Sequence, residues 1–361
     1  MPNGIDALIY AALPPPVGGV ASIVAMLHQN LGQRNDIFFV SPKVKGTGWV
    51  AKIIRPLFNL VNLATVTKQV NKGGRVLFFS SAGNSFFEKL AWSLLVIQMG
   101  RKPILVMVDG NFPRFWDKCH PGLRIWSSKI LCNPQLELGA QSDGWRDYYR
   151  LIFPLASIKV IGATVAPEFF EHTRQLNSPL RNRTILYVGW IIPEKGVVDL
   201  LDAMEILHAT HPEVRLRIVG PLFGKEECWN RVSSDRGGAT QVEYVGSISD
   251  RQRLMDEFDA ASIFVFPSHF EGFPVALLEA IAMGLACVGT SVGGIPDILD
   301  HGKAGIVVAP KAPVELANAL KTLLDDHGLV ERLSKQASIR ARSVYSHSAC
   351  IESYKNLLGL K

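Results

Sequence analysis

Runs of apolar, β-branched residues alternate with helix-length amphipathic segments along the whole chain, the pattern of parallel sheets covered by helices on both faces. In the first half this predicts strands at Ala7–Leu13, Ile37–Val40, Val76–Ser80 and Ile104–Val108. In the second half it predicts them at Thr184–Val188, Arg215–Val219, Val242–Val245, Ile263–Pro267, Ala286–Gly289 and Gly305–Val308. Helical periodicity fills the intervals, as at Val197–Ala209 and Pro313–Leu324. Residues 168–183 carry Asn177, Ser178, Pro179 and several charges with no period, which predicts a linker between two α/β domains.

Composition supports two domains, because 361 residues that are 48% hydrophobic can bury two sizeable cores. The five cysteines contain no Cys-x-x-Cys pair, so neither a disulfide framework nor a zinc cluster is expected, and a reducing compartment fits. The first residues lack a basic segment followed by an apolar one, and the longest near-apolar run, Leu90 to Met99, is far shorter than the ~20 residues a bilayer requires. The expectation is a protein that is neither exported by a signal peptide nor integral to a membrane, located in the cytoplasm.

Charge is divided unevenly. Residues 1–165 hold 18 Lys and Arg against 8 Asp and Glu, a net +10, and the remainder of the chain is at −4. Within the basic half, Val50 to Arg75 mixes Lys52, Arg55, Lys68, Lys72 and Arg75 with Ile53, Ile54, Leu57, Phe58, Leu60, Val61 and Leu63. Such a stretch suits either an anionic membrane surface or a core helix with a solvated basic face. No nucleic-acid-binding motif accompanies the charge, so nucleic acid is not expected as a partner. No Gly-x-Gly-x-x-Gly follows a strand and no Gly-x4-Gly-Lys-Ser/Thr is present, which weighs against dinucleotide dehydrogenases and P-loop enzymes.

The chemistry concentrates between Phe266 and Gly284. A buried strand runs into a loop holding Glu271, and Pro274 stands where a first-turn proline starts a helix. The amides around Val275 and Ala276 then face any ligand at the helix start, where phosphate is favoured. Glu279 follows on the second turn, so two carboxylates bracket an anion-binding helix start. That arrangement suits a ligand with both phosphate and hydroxyl groups. In the first half, Pro14 to Val20 follows the first strand, and Gly18 and Gly19 allow either close approach to a phosphate or sugar, or simply a tight turn. Asp109 either contacts sugar hydroxyls or the acceptor, or caps the turn that follows it. His269 is read as a site-lining or structural residue, and Trp116, Trp126 and Trp145 as packing or acceptor-surface residues.

Two glutamates separated by seven residues in a Glu-Gly-Phe-Pro context resemble the signature of retaining glycosyltransferase family 4, also called group 1, whose fold is GT-B. The resemblance extends over roughly residues 184–325. Tyr187 to Gly196 is similar to the family's first turn of the second domain, where an arginine and a lysine grip the donor diphosphate; Lys195 matches the lysine, and Trp190 stands at the arginine position. Val242 to Gly246 resembles the strand end beside the base, with Val245 as the contact, and Gly293 to Asp297 resembles a Gly-Gly turn. Asp109 lies where many relatives carry a histidine.

The resemblance implies an α/β protein of GT-B fold, two Rossmann-like, doubly wound parallel-sheet domains facing a central cleft. The expected boundaries are an acceptor-side domain at 1–167, the linker at 168–183, a nucleotide-sugar domain at 184–342, and a helix at 343–361 returning to the first domain. The implied reaction is retaining transfer of a sugar from a nucleotide diphosphate sugar to a glycan or lipid-linked acceptor hydroxyl, in bacterial surface polysaccharide or lipopolysaccharide biosynthesis at the cytoplasmic membrane face. Glu271 and Asp109 are the expected catalytic residues. Gly18, Gly19, Lys195, Val245, Gly272, Phe273, Val275, Ala276 and Glu279 are expected to hold the donor. The chain has no Asp-x-Asp motif, so neither a metal nor a cofactor is expected. The alternatives are an epimerase or phosphorylase on the same fold, and a catalytically silent nucleotide-sugar-binding scaffold.

Overall fold

The computed structural model describes residues 4–11, 19–41, 49–172, 183–223 and 241–360, excluding the side chains at 49–57. It divides into two units, residues 1–163 with 348–361, and residues 164–347.

The first unit is built on six parallel strands, β1 (Ile5–Tyr10), β2 (Ile37–Val40), β3 (Val70–Ser80), β4 (Lys102–Met107), β5 (Glu137–Ala140) and β6 (Ser157–Val160). Their order is β2-β1-β3-β4-β5-β6, so the winding reverses between β1 and β3. The periodicity missed β5 and β6 for local reasons. Glu-Leu-Gly-Ala is short and interrupted by glycine, and Ser-Ile-Lys-Val is an edge strand with little buried surface. β3 starts six residues earlier than predicted, because a register irregularity pairs Ile5 with Val70 but Ala7 with Arg75, and the extra residues include Gly73 at φ 81°.

The basic Val50–Arg75 stretch is therefore two elements, the helix Trp49–Thr67 and the start of β3. Leu63 of that helix is buried, whereas Phe58 and Val61 are more than half exposed. The helix Asn84–Gln98 packs through edge-on aromatic contacts, Trp92 against Tyr10 of β1 at 5.3 Å and Phe86 against Phe112, at the start of the helix Phe112–Lys118, at 5.2 Å. Trp116 and Trp145 are buried in this core, so of the three tryptophans only Trp126 presents substantial surface.

The second unit holds β7 (Thr184–Val188), β8 (Arg215–Val219), β9 (Gln241–Gly246), β10 (Ile263–Phe266), β11 (Ala286–Thr290) and β12 (Ile306–Val308), all parallel. Their order is β12-β11-β10-β7-β8-β9. β7 and β10, far apart in sequence, are neighbours, and the winding reverses between them. Open sheets of this kind bind ligands outside the strand carboxyl ends at that reversal.

The division falls after Ala163, ahead of the predicted linker. Residues 168–171 form a short helix whose Phe169 is buried against Phe258, and Thr164 Oγ1 donates to the Tyr345 carbonyl at 2.7 Å. An apolar anchor thus attaches this stretch to the second unit; residues 173–182 lie outside the described residues. The final helix, His347–Leu358, belongs from Ser348 onward to the first unit, where the Gly162 amide donates to Ser353 Oγ and Cys350 Sγ–H donates to the Gly162 carbonyl. Among the described residues no helix is long and apolar enough to cross a membrane.

Burial pushes the Cys350 thiol up to about 12, and thiolate is the reactive form. Alkylation at pH 8 with peptide mapping is expected to label the half-buried Cys119 and Cys132 in the folded protein, and Cys350 only once denaturant releases the last helix.

Candidate functional site

The loops after β7 and β10 meet at the reversal point of the second sheet. β7 ends at Val188; the chain then passes Gly189 and Trp190 and closes a 3-10 turn at Pro193–Lys195 before the helix Val197–His208 begins. Gly196 links turn to helix in the left-handed region, φ 71°, and a Cβ there would collide with the Pro267 carbonyl. Glycine is required twice over, by backbone conformation and by contact. That contact sets the Lys195 turn directly on the loop that follows β10.

Across it, the Lys195 ammonium donates to Glu271 Oε1, with both side chains largely buried. Ser268 Oγ donates to the same oxygen at 3.0 Å, and Ser268 is itself held by Thr290 Oγ1, which donates to its carbonyl at 2.6 Å. Glu271 Oε2 has no hydrogen-bond partner among the described residues. A third loop supports this one from below. Gly293, φ 55°, abuts the Glu271 carbonyl, and the Gly294 amide donates to the Gly272 carbonyl at 2.9 Å. Phe273 is buried against Tyr345, ring centroids 5.6 Å apart.

The helix after this loop runs Val275–Ala282 with Pro274 as its cap in extended conformation, one position ahead of the predicted first turn. Its first intrahelical bond joins the Leu278 amide to the Pro274 carbonyl at 3.3 Å, so the amides of Val275, Ala276 and Leu277 precede the ladder. Glu279 lies on the next turn. Desolvation pushes its carboxyl up to about 8, against an opposing pull from Arg251, and the carboxyl has no hydrogen-bond partner among the described residues. The sequence predicts a carboxylate here, but burial favours the protonated acid at neutral pH.

The other expected residues are more scattered. Val245 is half-buried at the carboxyl end of β9, an edge strand separated from β7 by β8. Trp190 is 57% exposed and meets the equally open Phe223 edge-on at 5.2 Å. In the first unit the two carboxylate oxygens of Asp109 accept the amides of Ala82, at 2.9 Å, and Asn111, at 2.7 Å. These bonds fit the turn-capping alternative, and each oxygen keeps a further acceptor site. Gly18 lies outside the described residues, and Gly19 opens the helix Gly19–Leu31. Among the described residues no cluster of His, Cys, Asp and Glu is able to hold a metal ion.

The profile of the family described as "Glycosyl transferases group 1" matches residues 168–340, the stretch that contains every contact around Lys195 and Glu271. The match covers 173 of the chain's 361 residues, just under half. The glycogen synthase of Mycobacterium tuberculosis is 32% identical over 192 residues, 52% of this chain and 45% of that protein. A D-inositol 3-phosphate glycosyltransferase of Streptomyces griseus is 34% identical over 166 residues, 44% of this chain and 35% of that protein. The chain thus spans less than half the length of the curated relatives it matches. HepE of Anabaena, solved in complex with UDP, superimposes with a TM-score of 0.74 at 16% identity, covering 98% of this chain and all of that one. The sucrose-phosphate synthase of Thermosynechococcus elongatus also gives 0.74 at 16% identity, covering 98% of each chain. At this identity the likeness carries the fold alone, which is GT-B.

His269, read from sequence as a site-lining or structural residue, has a partner that the sequence did not indicate. Its ring Nε2 pairs with Asp199, 70 positions away, and its amide donates to the Glu194 carbonyl at 3.0 Å. A pair that distant leaves no periodic or motif signal in a single sequence.

Two outcomes test this geometry. Gly196→Ala is expected to destabilise the chain by at least ~2 kcal/mol in urea denaturation, because a left-handed non-glycine residue alone costs about 1–2 kcal/mol and the Pro267 carbonyl must also move. For Glu279, the ordinary value of 4.5 applies to the unfolded chain. Between there and about 8 the folded state keeps a proton that the unfolded state has lost, so this group's contribution falls as pH rises and levels off above that window. The melting-temperature advantage of Glu279→Gln over the parent is therefore expected to grow from pH 5 to pH 8 and then stay constant.

Proposed function

We propose that the chain is a retaining, metal-independent glycosyltransferase of family 4 that moves a sugar from a nucleotide diphosphate sugar to an acceptor hydroxyl. The observation that carries this reading is the state of Glu271. One of its oxygens is anchored by Lys195 and Ser268 while the other takes no partner among the described residues, as suits a group that receives a sugar hydroxyl. Lys195 has three donors and gives one to Glu271, so a diphosphate is able to share the ammonium. The unladdered amides at Val275 and Ala276 supply a second, fixed source of positive potential. A neutral Glu279 both donates and accepts hydrogen bonds, which matches the hydroxyl pair of a ribose.

In the proposed reaction the acceptor oxygen bonds to the anomeric carbon as the bond to the β-phosphate oxygen breaks. Lys195 and the helix-start amides stabilise the departing diphosphate, an electrostatic role that needs no metal, and the freed phosphate oxygen takes the acceptor's proton. Glu271 orients the sugar and supports positive charge developing at the anomeric carbon. Gly272, Phe273 and Val245 shape the donor pocket. The fold relatives include HepE solved with UDP-glucose, which makes a uridine nucleotide the first donor to try.

We place the acceptor in bacterial surface polysaccharide or lipopolysaccharide assembly, at the cytoplasmic membrane face. The support is the +10 charge of residues 1–165, together with exposed Phe58 and Val61 on the helix Trp49–Thr67.

Thermal-shift screening of nucleotide sugars is expected to single out the donor, since a ligand at about 100 times its Kd adds about 2.7 kcal/mol to the folded state. With that donor, Glu271→Ala is expected to lose at least about a hundredfold in kcat while keeping its melting temperature within a few degrees; undiminished turnover would remove Glu271 from the mechanism. Flotation with anionic vesicles is expected to show binding that weakens as salt is raised, and indifference to lipid would remove the membrane location.

A further inference from the structure

The turn that carries Lys195 and the loop that carries Glu271 are tied together in two ways that use neither side chain. The first is at backbone level, where Gly196 packs on the Pro267 carbonyl and the His269 amide donates to the Glu194 carbonyl at 3.0 Å. The second is the side-chain pair of His269 Nε2 with Asp199 Oδ2. Asp199 sits in the first turn of the helix Val197–His208, where the helix dipole favours a carboxylate. Both side chains are mostly withdrawn from water, at 16% and 19% exposure, so screening is reduced.

Consider what donor binding does to these ties. Lys195 and Glu271 hold each other. A bound diphosphate competes for the Lys195 ammonium, and the attraction it takes is withdrawn from the link between the loops. The backbone contacts join residues 194 and 196 of one loop to residues 267 and 269 of the other, and neither reaches into the helix Val197–His208. Asp199 lies three residues beyond Gly196, inside that helix, so its pair with His269 adds a further attachment between the helix's first turn and the loop that carries Glu271. It involves no group that would grip phosphate or sugar, and therefore persists when the site is occupied.

We propose that His269 is a positioning residue, which through Asp199 sets the separation of Lys195 and Glu271 in the donor-bound site. This rests on the transferase reading above. A merely structural pair would contribute equally with and without donor; a positioning pair contributes most when the Lys195–Glu271 attraction is shared with a ligand.

The test is calorimetric titration of UDP, GDP and ADP into the parent protein and into His269→Ala, His269→Gln, Asp199→Ala and the double alanine variant, followed by donor kinetics. If the parent binds none of the three, the transferase reading fails, and the positioning role with it. If it binds one, His269→Ala is expected to weaken that nucleotide by about tenfold, or ~1.4 kcal/mol, and to raise donor KM more than it lowers kcat. His269→Gln, whose amide is able to donate to Asp199, is expected to recover most of the affinity. Asp199→Ala is expected to match His269→Ala, with the double variant no more than about twofold worse than either single one, as for residues acting as one unit. Affinity within twofold of the parent in folded His269→Ala, or no recovery in His269→Gln, would overturn the proposal. Should His269→Ala not fold, Asp199→Asn makes the same comparison with the side-chain volume kept, and unchanged nucleotide affinity there overturns it equally.

Discussion

The adjacency of β7 and β10 is the constraint on which the rest of the second unit depends. Parallel winding that reverses between them brings the loop after residue 188 against the loop after residue 266. Carbonyl groups of the β10 loop then meet glycines from both sides, Pro267 against Gly196 and Glu271 against Gly293. Any Cβ at either glycine would hold the loops apart. Close backbone packing, more than side-chain preference, therefore places an ammonium from one loop beside a carboxylate from the other. Functional groups held on rigid backbone lose little entropy when a ligand arrives, and that pre-organisation is where an electrostatic site gains its strength.

The two glutamates of the motif show how local surroundings divide the labour between identical side chains. Glu271 stands in an ion pair and accepts a hydroxyl hydrogen bond, whereas Glu279 is half-buried, has no hydrogen-bond partner among the described residues, and is driven toward its neutral form by desolvation. One is anchored by an ammonium and a hydroxyl, and the other is an acid able to donate.

Much of this was legible in the sequence, and what was not has physical reasons. The strands built from uninterrupted Val, Ile, Leu and Phe runs, such as Ile104–Val108 and Ile263–Pro267, stand out because both their faces are buried. β5 and β6 did not, since a glycine in one and an exposed edge position in the other erase the pattern. Lys195 and Glu271 were found through motif context, and the structure joins them. The Asp109 carboxylate was ambiguous in sequence because capping and catalysis need the same side chain, and in the structure it accepts two backbone amides. Glu279 was identified, but its protonation preference arises from desolvation in the fold, which the motif does not display. The His269–Asp199 pair spans 70 positions and had no local signature at all.

Trp190 gives these ties their weight. It occupies the place where family resemblance puts a diphosphate-binding arginine, and its ring, 57% exposed beside Phe223, brings surface but no charge. Its backbone is nonetheless fixed, because the Tyr187 hydroxyl donates to the Trp190 carbonyl at 2.8 Å and the Ile191 amide donates to the Pro221 carbonyl at 3.0 Å. A site with an arginine has a planar fork that tolerates small shifts of the phosphate. In the proposed function, with a tryptophan there, neutralisation of the diphosphate falls on the point charge of Lys195 and on amides whose direction is set by the helix Val275–Ala282. Coulomb attraction to a single ammonium falls off directly with distance. On the proposed function, a tryptophan at 190 therefore makes diphosphate binding depend less on side-chain adaptability and more on the accuracy with which the two loops are held.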